Sequence, residues 1–423
     1  MEPNRLFLIL LAVLLAVGVG SRLIEGDKGS DVLPVTGRTD PSQSVGYGNS
    51  AFAFDFYRAV RDSAGNVLFS PVSISAALAM TYAGARGETE HQMAETLHFG
   101  MPQDLLHLEF GRLLAALAGK KEAGPELHIA NSLWVQVGYA LFAGFLNTVA
   151  THYGAEPRYL DFQGIPEPSR NTINEWVSKE TREKIKDLLP PGSIDPFTRS
   201  VLVNAVYFKA MWLHVFPASL TTDGTFYLFG GEAIKVPMMR QEANFRYTAS
   251  EGWEVVELPY VGGSMAMVVL IPPRGQFKGY EKRLDLQLFT RLLGLMSATK
   301  VRLTMPKFAF EWGGSLERTL AQMGMGDAFD PQAADFSGMN GQRCGEAPTR
   351  CLYIGDVLHK AFVGVDENGT EAAAATAVIM LVGAAPPRPE QVVEIRIDRP
   401  FIFAIRDNRT GTILFIGRVL DPR

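Results

Sequence analysis

DENGTEAAAATAVIMLVGAAPP, Asp366–Pro387, is the stretch on whose reading the rest of the chain depends. It follows an apolar, strand-like segment, Leu358–Val365, and precedes a strongly apolar C-terminal hairpin. Thr370–Ala377 consists almost wholly of small residues, Val378–Val382 is continuously apolar, and small residues and prolines follow. Alanine favours helix, whereas the flanks favour a strand or a long exposed loop. A conformational switch and an indifferent linker both fit so undecided a stretch. The surrounding chain has to settle which.

With 423 residues, 47% hydrophobic and 20% charged, the chain can build a large core, either in two or three average domains or in one large unit. A net charge of −5 argues against the basic footprint of a nucleic-acid binder. No block of five like charges occurs, so charged tails are absent as well. Behind Arg5, Leu6–Gly20 is an uncharged apolar run of 15 residues. A spanning helix needs about 20, so the run suits the core of an export signal. Gly18 and Gly20 fit a cut near Gly20/Ser21, giving a signal peptide over residues 1–20 and a flexible leader over 21–44. This places the protein outside the cytoplasm, secreted, extracellular or periplasmic; an uncleaved N-terminal membrane anchor is the alternative. The two cysteines, Cys344 and Cys351, sit in a Gly- and Pro-containing loop. In an exported protein they read as a disulfide closing that loop. A metal site would need more ligands, and the nearest histidine, His359, stands alone on the next strand.

Along the chain, Phe52, Phe56 and Val60 recur every four residues in a helix over Asn49–Val60. Val67–Phe69 is a short buried strand. Ser70-Pro71 then opens a second helix, Ser as the cap and Pro at the first turn. That helix, Ser73–Ala83, is rich in Ser and Ala, which suits close packing or a special role. Leu127–Val135 reads as a strand, Asn171–Leu189 as an amphipathic helix stopped by Pro190-Pro191-Gly192, and Arg199–Trp212 as a strand interrupted by Asn204. A buried Asn needs partners, so Asn204 is either a node of a polar cluster or a strand-edge residue. Strands dominate from Gly224 on: Gly224–Leu228, Ala233–Met239, Trp253–Pro259, Met265–Ile271 and Val301–Phe308. Short helices fall at Leu286–Leu295 and Leu316–Met323. Val393–Ile397 alternates with one wet face, and Phe401–Ile405 and Ile413–Ile416 form a central hairpin. No repeat or linker divides residues 45–423, so they read as one α+β domain.

Enzymatic chemistry finds no positive support. The chain has no Gly-x-Ser-x-Gly elbow, no His-Glu-x-x-His and no Walker-type loop. His91 and His98 fit the solvated end of a helix better than a metal site. The sequence points to no cofactor.

Six segments in order carry a resemblance. Asn66–Ile74 resembles the short strand and second helix of the serpins, Leu202–Trp212 the third strand of their main sheet, and Val357–Ala361 the fifth. Gly369-Thr370-Glu371-Ala372-Ala373-Ala374-Ala375-Thr376 resembles the hinge of their reactive loop. Arg399–Phe403 and Phe415–Val419 resemble the C-terminal signature. From about Asn49 to Pro422 the chain is therefore similar to a serpin, of a prokaryotic, exported type. The resemblance implies three β-sheets, about nine helices and an exposed reactive-centre loop at about 366–389. It also implies a suicide inhibitor of serine proteases: the protease is held as a covalent acyl-enzyme while the cleaved loop enters the main sheet as a new strand. Ser70, Ser73, Asn204 and His359 are expected to form the polar shutter beneath that opening.

The residues permit such an insertion. Thr370, Ala372, Ala374, Thr376, Val378 and Met380 alternate onto one face, small at the leading end and larger behind. Glu371 is the single charge on the other face, and no proline lies in Thr370–Met380. Counting by the family's spacing from Gly369 puts the reactive bond at Gly383–Ala384, with Val382, Leu381 and Met380 as neighbouring alternatives. All are small or apolar, which suits elastase-like or subtilisin-like proteases. Arg388 is the only basic residue in the loop; it lies too far along and precedes Pro389, which disfavours trypsin-like targets. The expected partner is thus a serine protease met by a monomer, with no nucleic acid or small-molecule cofactor involved. A non-inhibitory serpin acting as a binding or chaperone module is the alternative.

Overall fold

The computed structural model describes residues 44–118, 124–346, 350–370 and 391–423. Five helices and two strands open the described residues: α1 (Val45–Val60), β1 (Val67–Phe69), α2 (Pro71–Tyr82), α3 (Gly87–Thr96), α4 (Gln103–Ala118), β2 (Glu126–Gln136) and α5 (Ala143–Tyr153). Next come β3 (Arg158–Leu160), α6 (Pro166–Glu180), β4 (Ser200–Met211), β5 (Thr222–Tyr227), β6 (Ala233–Ser250), β7 (Trp253–Pro259) and β8 (Met265–Ile271). Then follow α7 (Phe277–Arg283), α8 (Leu286–Gly294), β9 (Ser297–Pro306), β10 (Phe308–Ser315), α9 (Glu317–Leu320) and α10 (Ser337–Asn340). The described chain ends with β11 (Val357–Val365), β12 (Gly369–Thr370), β13 (Val393–Arg396), β14 (Phe401–Asp407) and β15 (Ile413–Val419).

These strands form two hydrogen-bonded sheets. One has nine strands in the order β1-β15-β14-β8-β7-β6-β9-β13, with β5 also on β6. The 18 residues of β6 join its parts: the first pair with β5, those from Met238 to Tyr247 with β9, and the last with β7. The other sheet has six strands, β10-β11-β12-β4-β2-β3. The C-terminal hairpin lies inside the large sheet, between β1 and β8, and both its strands are almost wholly buried, as the continuous apolar runs require.

Alternation in β4 divides the packing. Val201, Val203 and Ala205 face a smaller core with Ile173 and Val177 of α6, while Leu202, Val206, Phe208 and Ala210 face the main core. Between the sheets lies α2, every one of its 12 residues buried against β2, β4 and β15. Its small side chains follow from that position. The Ser70 hydroxyl caps it by accepting the Ser73 amide at 3.3 Å, and Pro71 occupies the first turn.

One helix differs from its sequence pattern. The apolar stripe predicts helix over Asn171–Leu189, but α6 starts at Pro166 and ends at Glu180. Thr181 turns its hydroxyl back onto the Val177 carbonyl at 2.8 Å and accepts the Ile185 amide at 3.1 Å, so it competes with the helix ladder. Arg182 and Glu183 then take positive φ, 53° and 63°. Ile185, Leu188 and Leu189 are buried as the stripe requires, but by a chain folded back on the helix. The Asn174 amide holds that return, binding the Leu189 carbonyl and amide at 2.9 Å each.

Candidate functional site

The site is a seam in the six-stranded sheet. β4 and β11 run parallel and are paired from Leu202/Val357 to Val206/Ala361. Beyond that they part, and β12 lies between them, antiparallel to both: Gly369 opposite Met211, Thr370 opposite Ala210, and Thr370 opposite Val365. The first two residues of the expected hinge, Gly369 and Thr370, thus lie as a short strand between β4 and β11. Glu371–Thr376 of the hinge, and Met380, Leu381, Val382, Gly383 and Ala384 at the expected reactive bond, lie outside the described residues.

A tight turn reverses β11 into β12. The Asp366 carboxylate accepts the amides of Asn368 at 2.8 Å and Gly369 at 3.2 Å, while the Asp366 amide donates to the Gly369 carbonyl at 2.9 Å. Trp212, just past β4, holds this turn from the other side: its indole N–H donates to the Asp366 carbonyl at 3.0 Å and its amide to that of Asn368 at 2.8 Å. Glu367 pairs with Lys307 at 2.8 Å and accepts the Thr221 hydroxyl at 2.8 Å. Glycine is required at 369, because a Cβ there would meet the Ala210 carbonyl oxygen at 2.0 Å. Thr370 is 1% exposed, and its hydroxyl lies 2.7 Å from that of Tyr260.

Below the notch, the paired part of the seam rests on a buried polar network. Asn131 of β2, Asn204 of β4 and His359 of β11 are in register across three neighbouring strands, above Ser70 and Ser73 at the start of α2. The Ser70 amide donates to His359 Nε2 at 3.3 Å, so that nitrogen is the acceptor and Nδ1 carries the proton it gives to Asn204 Oδ1. Asn204 Nδ2 donates to Ser73 Oγ at 2.5 Å and to Asn131 Oδ1, and Asn131 Nδ2 donates to the Ser73 carbonyl at 3.3 Å. Complete burial pushes the His359 pKa down to about 3 by desolvation, so the ring is neutral at ordinary pH. The structure thus brings Ser70, Ser73, Asn204 and His359 together and puts Asn204 at a buried node, not a strand edge. It adds Asn131, whose signal was a polar residue breaking the apolar pattern of a strand, as at Asn204.

The sulfurs of Cys344 and Cys351 lie 2.12 Å apart with a Cα–Cα distance of 4.8 Å, and both residues are buried. His98 meets Asp55 at 2.7 Å, and His91 lies 3.4 Å from Glu95. Among the described residues no group of three or more His, Cys, Asp or Glu is placed to hold a metal ion. No described helix is long and apolar enough to cross a membrane.

The seam thus seats Gly369 and Thr370 between two parallel strands that pair directly further along. A family model described as Serpin (serine protease inhibitor) matches residues 47–422. A serpin-like protein of Thermococcus kodakarensis is 41% identical over 375 residues, covering 88% of this chain and 85% of the relative. The leukocyte elastase inhibitor of Xenopus laevis is 38% identical over 380 residues, covering 88% and 97%. The crystal structure of the thermophilic serpin tengpin in its native state superposes with a TM-score of 0.79 at 33% identity, covering 89% of this chain and 93% of that one. The chain belongs to the serpin family.

Proposed function

We propose that the protein is a single-use inhibitor of serine proteases outside the cytoplasm. The observation that carries this reading is the seating of Gly369 and Thr370 between β4 and β11. It is supported by a sequence that continues with mostly small side chains to Ala377 and without proline as far as Met380. A protease serine attacks the Gly383 carbonyl carbon, the Gly383–Ala384 bond breaks, and the amine of Ala384 leaves with a proton. The new ester joins Gly383 to the protease, and the hinge enters the seam before water completes hydrolysis. Reactive-loop insertion of this kind is a recognised case of strand addition.

Elastase-like or subtilisin-like proteases are the proposed targets, because Met380–Ala384 offers only apolar or small residues. Relatives named as leukocyte elastase inhibitors point the same way. We further propose that residues 1–20 direct export and that Cys344 and Cys351 are oxidised in the mature protein, which their Cα separation of 4.8 Å accommodates.

Incubation with elastase, subtilisin and chymotrypsin, followed by denaturing electrophoresis after boiling, tests the reading. The expected result is a band of the two masses less the C-terminal peptide, and release of that peptide, which mass spectrometry reads as beginning at Ala384. Clean cleavage with the protease left active would overturn inhibition in favour of a binding or chaperone role.

A further inference from the structure

We propose that Tyr260 is a positioning residue for strand insertion, its hydroxyl catching Thr370 and fixing the register in which the hinge enters the sheet. This rests on the inhibitory reading above and assigns a part of that mechanism to a residue outside the loop and outside the six-stranded sheet.

Thr370 is the last described residue of the hinge, and at 1% exposure its hydroxyl cannot turn to solvent. It finds the Tyr260 hydroxyl at 2.7 Å. Tyr260 is itself fully buried and fixed in place. Its ring stacks on Trp212 with centroids 4.6 Å apart and planes 9° from parallel, and Phe208 of β4 meets it edge-on at 5.3 Å. Burial drives the phenol pKa far up, so the group stays an O–H donor or acceptor throughout the working pH range. The catch therefore cannot follow Thr370 if the hinge withdraws. Either Thr370 is docked, or a buried hydroxyl loses its partner.

Register is where this matters. A strand slipped by one residue turns each side chain to the opposite face. Two features oppose a slip here. Position 369 faces the Ala210 carbonyl so closely that only glycine fits, and the next position must offer a hydroxyl to Tyr260. A slip one way drives Thr370 against Ala210; a slip the other way brings Gly369, with no side chain, to the catch. Only the observed register satisfies both, and it sends Ala372, Ala374 and Thr376 onto the buried face as insertion proceeds. Insertion then extends a closed first rung, and that head start works against hydrolysis of the acyl-enzyme.

The test is a double-mutant cycle in the full-length protein: Tyr260→Phe, Thr370→Val and the two combined. Tyr260→Phe keeps the stacked ring but leaves the Thr370 hydroxyl buried and unpaired; the double variant removes both hydroxyls. Two measurements are made on each. Hydrogen–deuterium exchange of the peptide carrying Gly369 and Thr370 needs no protease. It should run about tenfold faster in Tyr260→Phe, the size expected for one orphaned buried hydroxyl, and return most of the way in the double variant. The number of inhibitor molecules consumed per protease inactivated should rise several-fold in Tyr260→Phe and fall back in the double variant. Unchanged exchange in Tyr260→Phe, or additive effects with no coupling between 260 and 370, overturns the catch. Wild-type protein that traps no protease overturns the inhibitory reading instead, and with it the catch's role in register for inhibition. Altered exchange with unaltered stoichiometry overturns that same role, leaving only a docking contact.

Discussion

His359 lies in the middle of the six-stranded sheet with both ring nitrogens engaged, Nε2 by the Ser70 amide and Nδ1 by Asn204. A second proton has nowhere to go without setting N–H against N–H. With the folded pKa near 3 and an unfolded value near 6.5, the unfolded state binds the proton first as pH falls. The associated stability is complete above pH 6.5 and is lost on the way down toward 3, at about 1.4 kcal/mol per pH unit. His107 acts with the same sign: burial, then the neighbouring His152, holds its pKa at about 4. Unfolding free energies measured by denaturant between pH 6.5 and 4.5 should thus fall with acid, and His359→Gln should lower that slope by about 1.4 kcal/mol per pH unit; an unchanged slope would contradict the assignment. Asn204→Ala strips partners from His359, Ser73 and Asn131 together and should cost about 2–4 kcal/mol by the same assay. A loss under about 0.5 kcal/mol would mean the network is not what supports the seam.

Among the described elements, β12 is the shortest and the most consequential. Arginine at position 370 would place an unpaired charge where the structure leaves 1% exposure, between β4 and β11. Thr370→Arg should therefore turn the inhibitor into a substrate, raising the inhibitor consumed per protease by more than about tenfold in titrations of residual activity, since burying an unpaired charge costs several kcal/mol. An unchanged stoichiometry would contradict insertion. What the sequence revealed differs from element to element. β4, β11 and the C-terminal hairpin are plain in their apolar patterns, because most of their residues are buried. The end of α6 was hidden, because an apolar stripe records which residues are buried and not whether the chain reaches them as helix or by folding back through Thr181 and Arg182. The roles of Asn131, despite its polar break in a strand, and of Tyr260 were hidden for another reason. Each gains its meaning from a partner distant in sequence, Asn204 for one and Thr370 for the other, and single-chain periodicity carries no such pairing.

For the whole molecule, the proposed inhibition requires a sheet that can take in one more strand, carried by the chain itself. In the intact protein β4 and β11 share ladder bonds only over five residue pairs, and β12 supplies two residues of the strand that could lie between them. Filling the seam would add a dozen or more ladder bonds, each worth about 1 kcal/mol net, so the gain is on the order of 10 kcal/mol. For a domain of this size that raises the unfolding temperature by about 10 °C or more. The direct measurement is calorimetry of the intact protein against the same protein cleaved within the loop by a metalloprotease, which forms no acyl-enzyme. A cleaved form that unfolds at least about 10 °C higher is the result expected of a chain that inserts its own loop. A cleaved form no more stable than the intact one would contradict it.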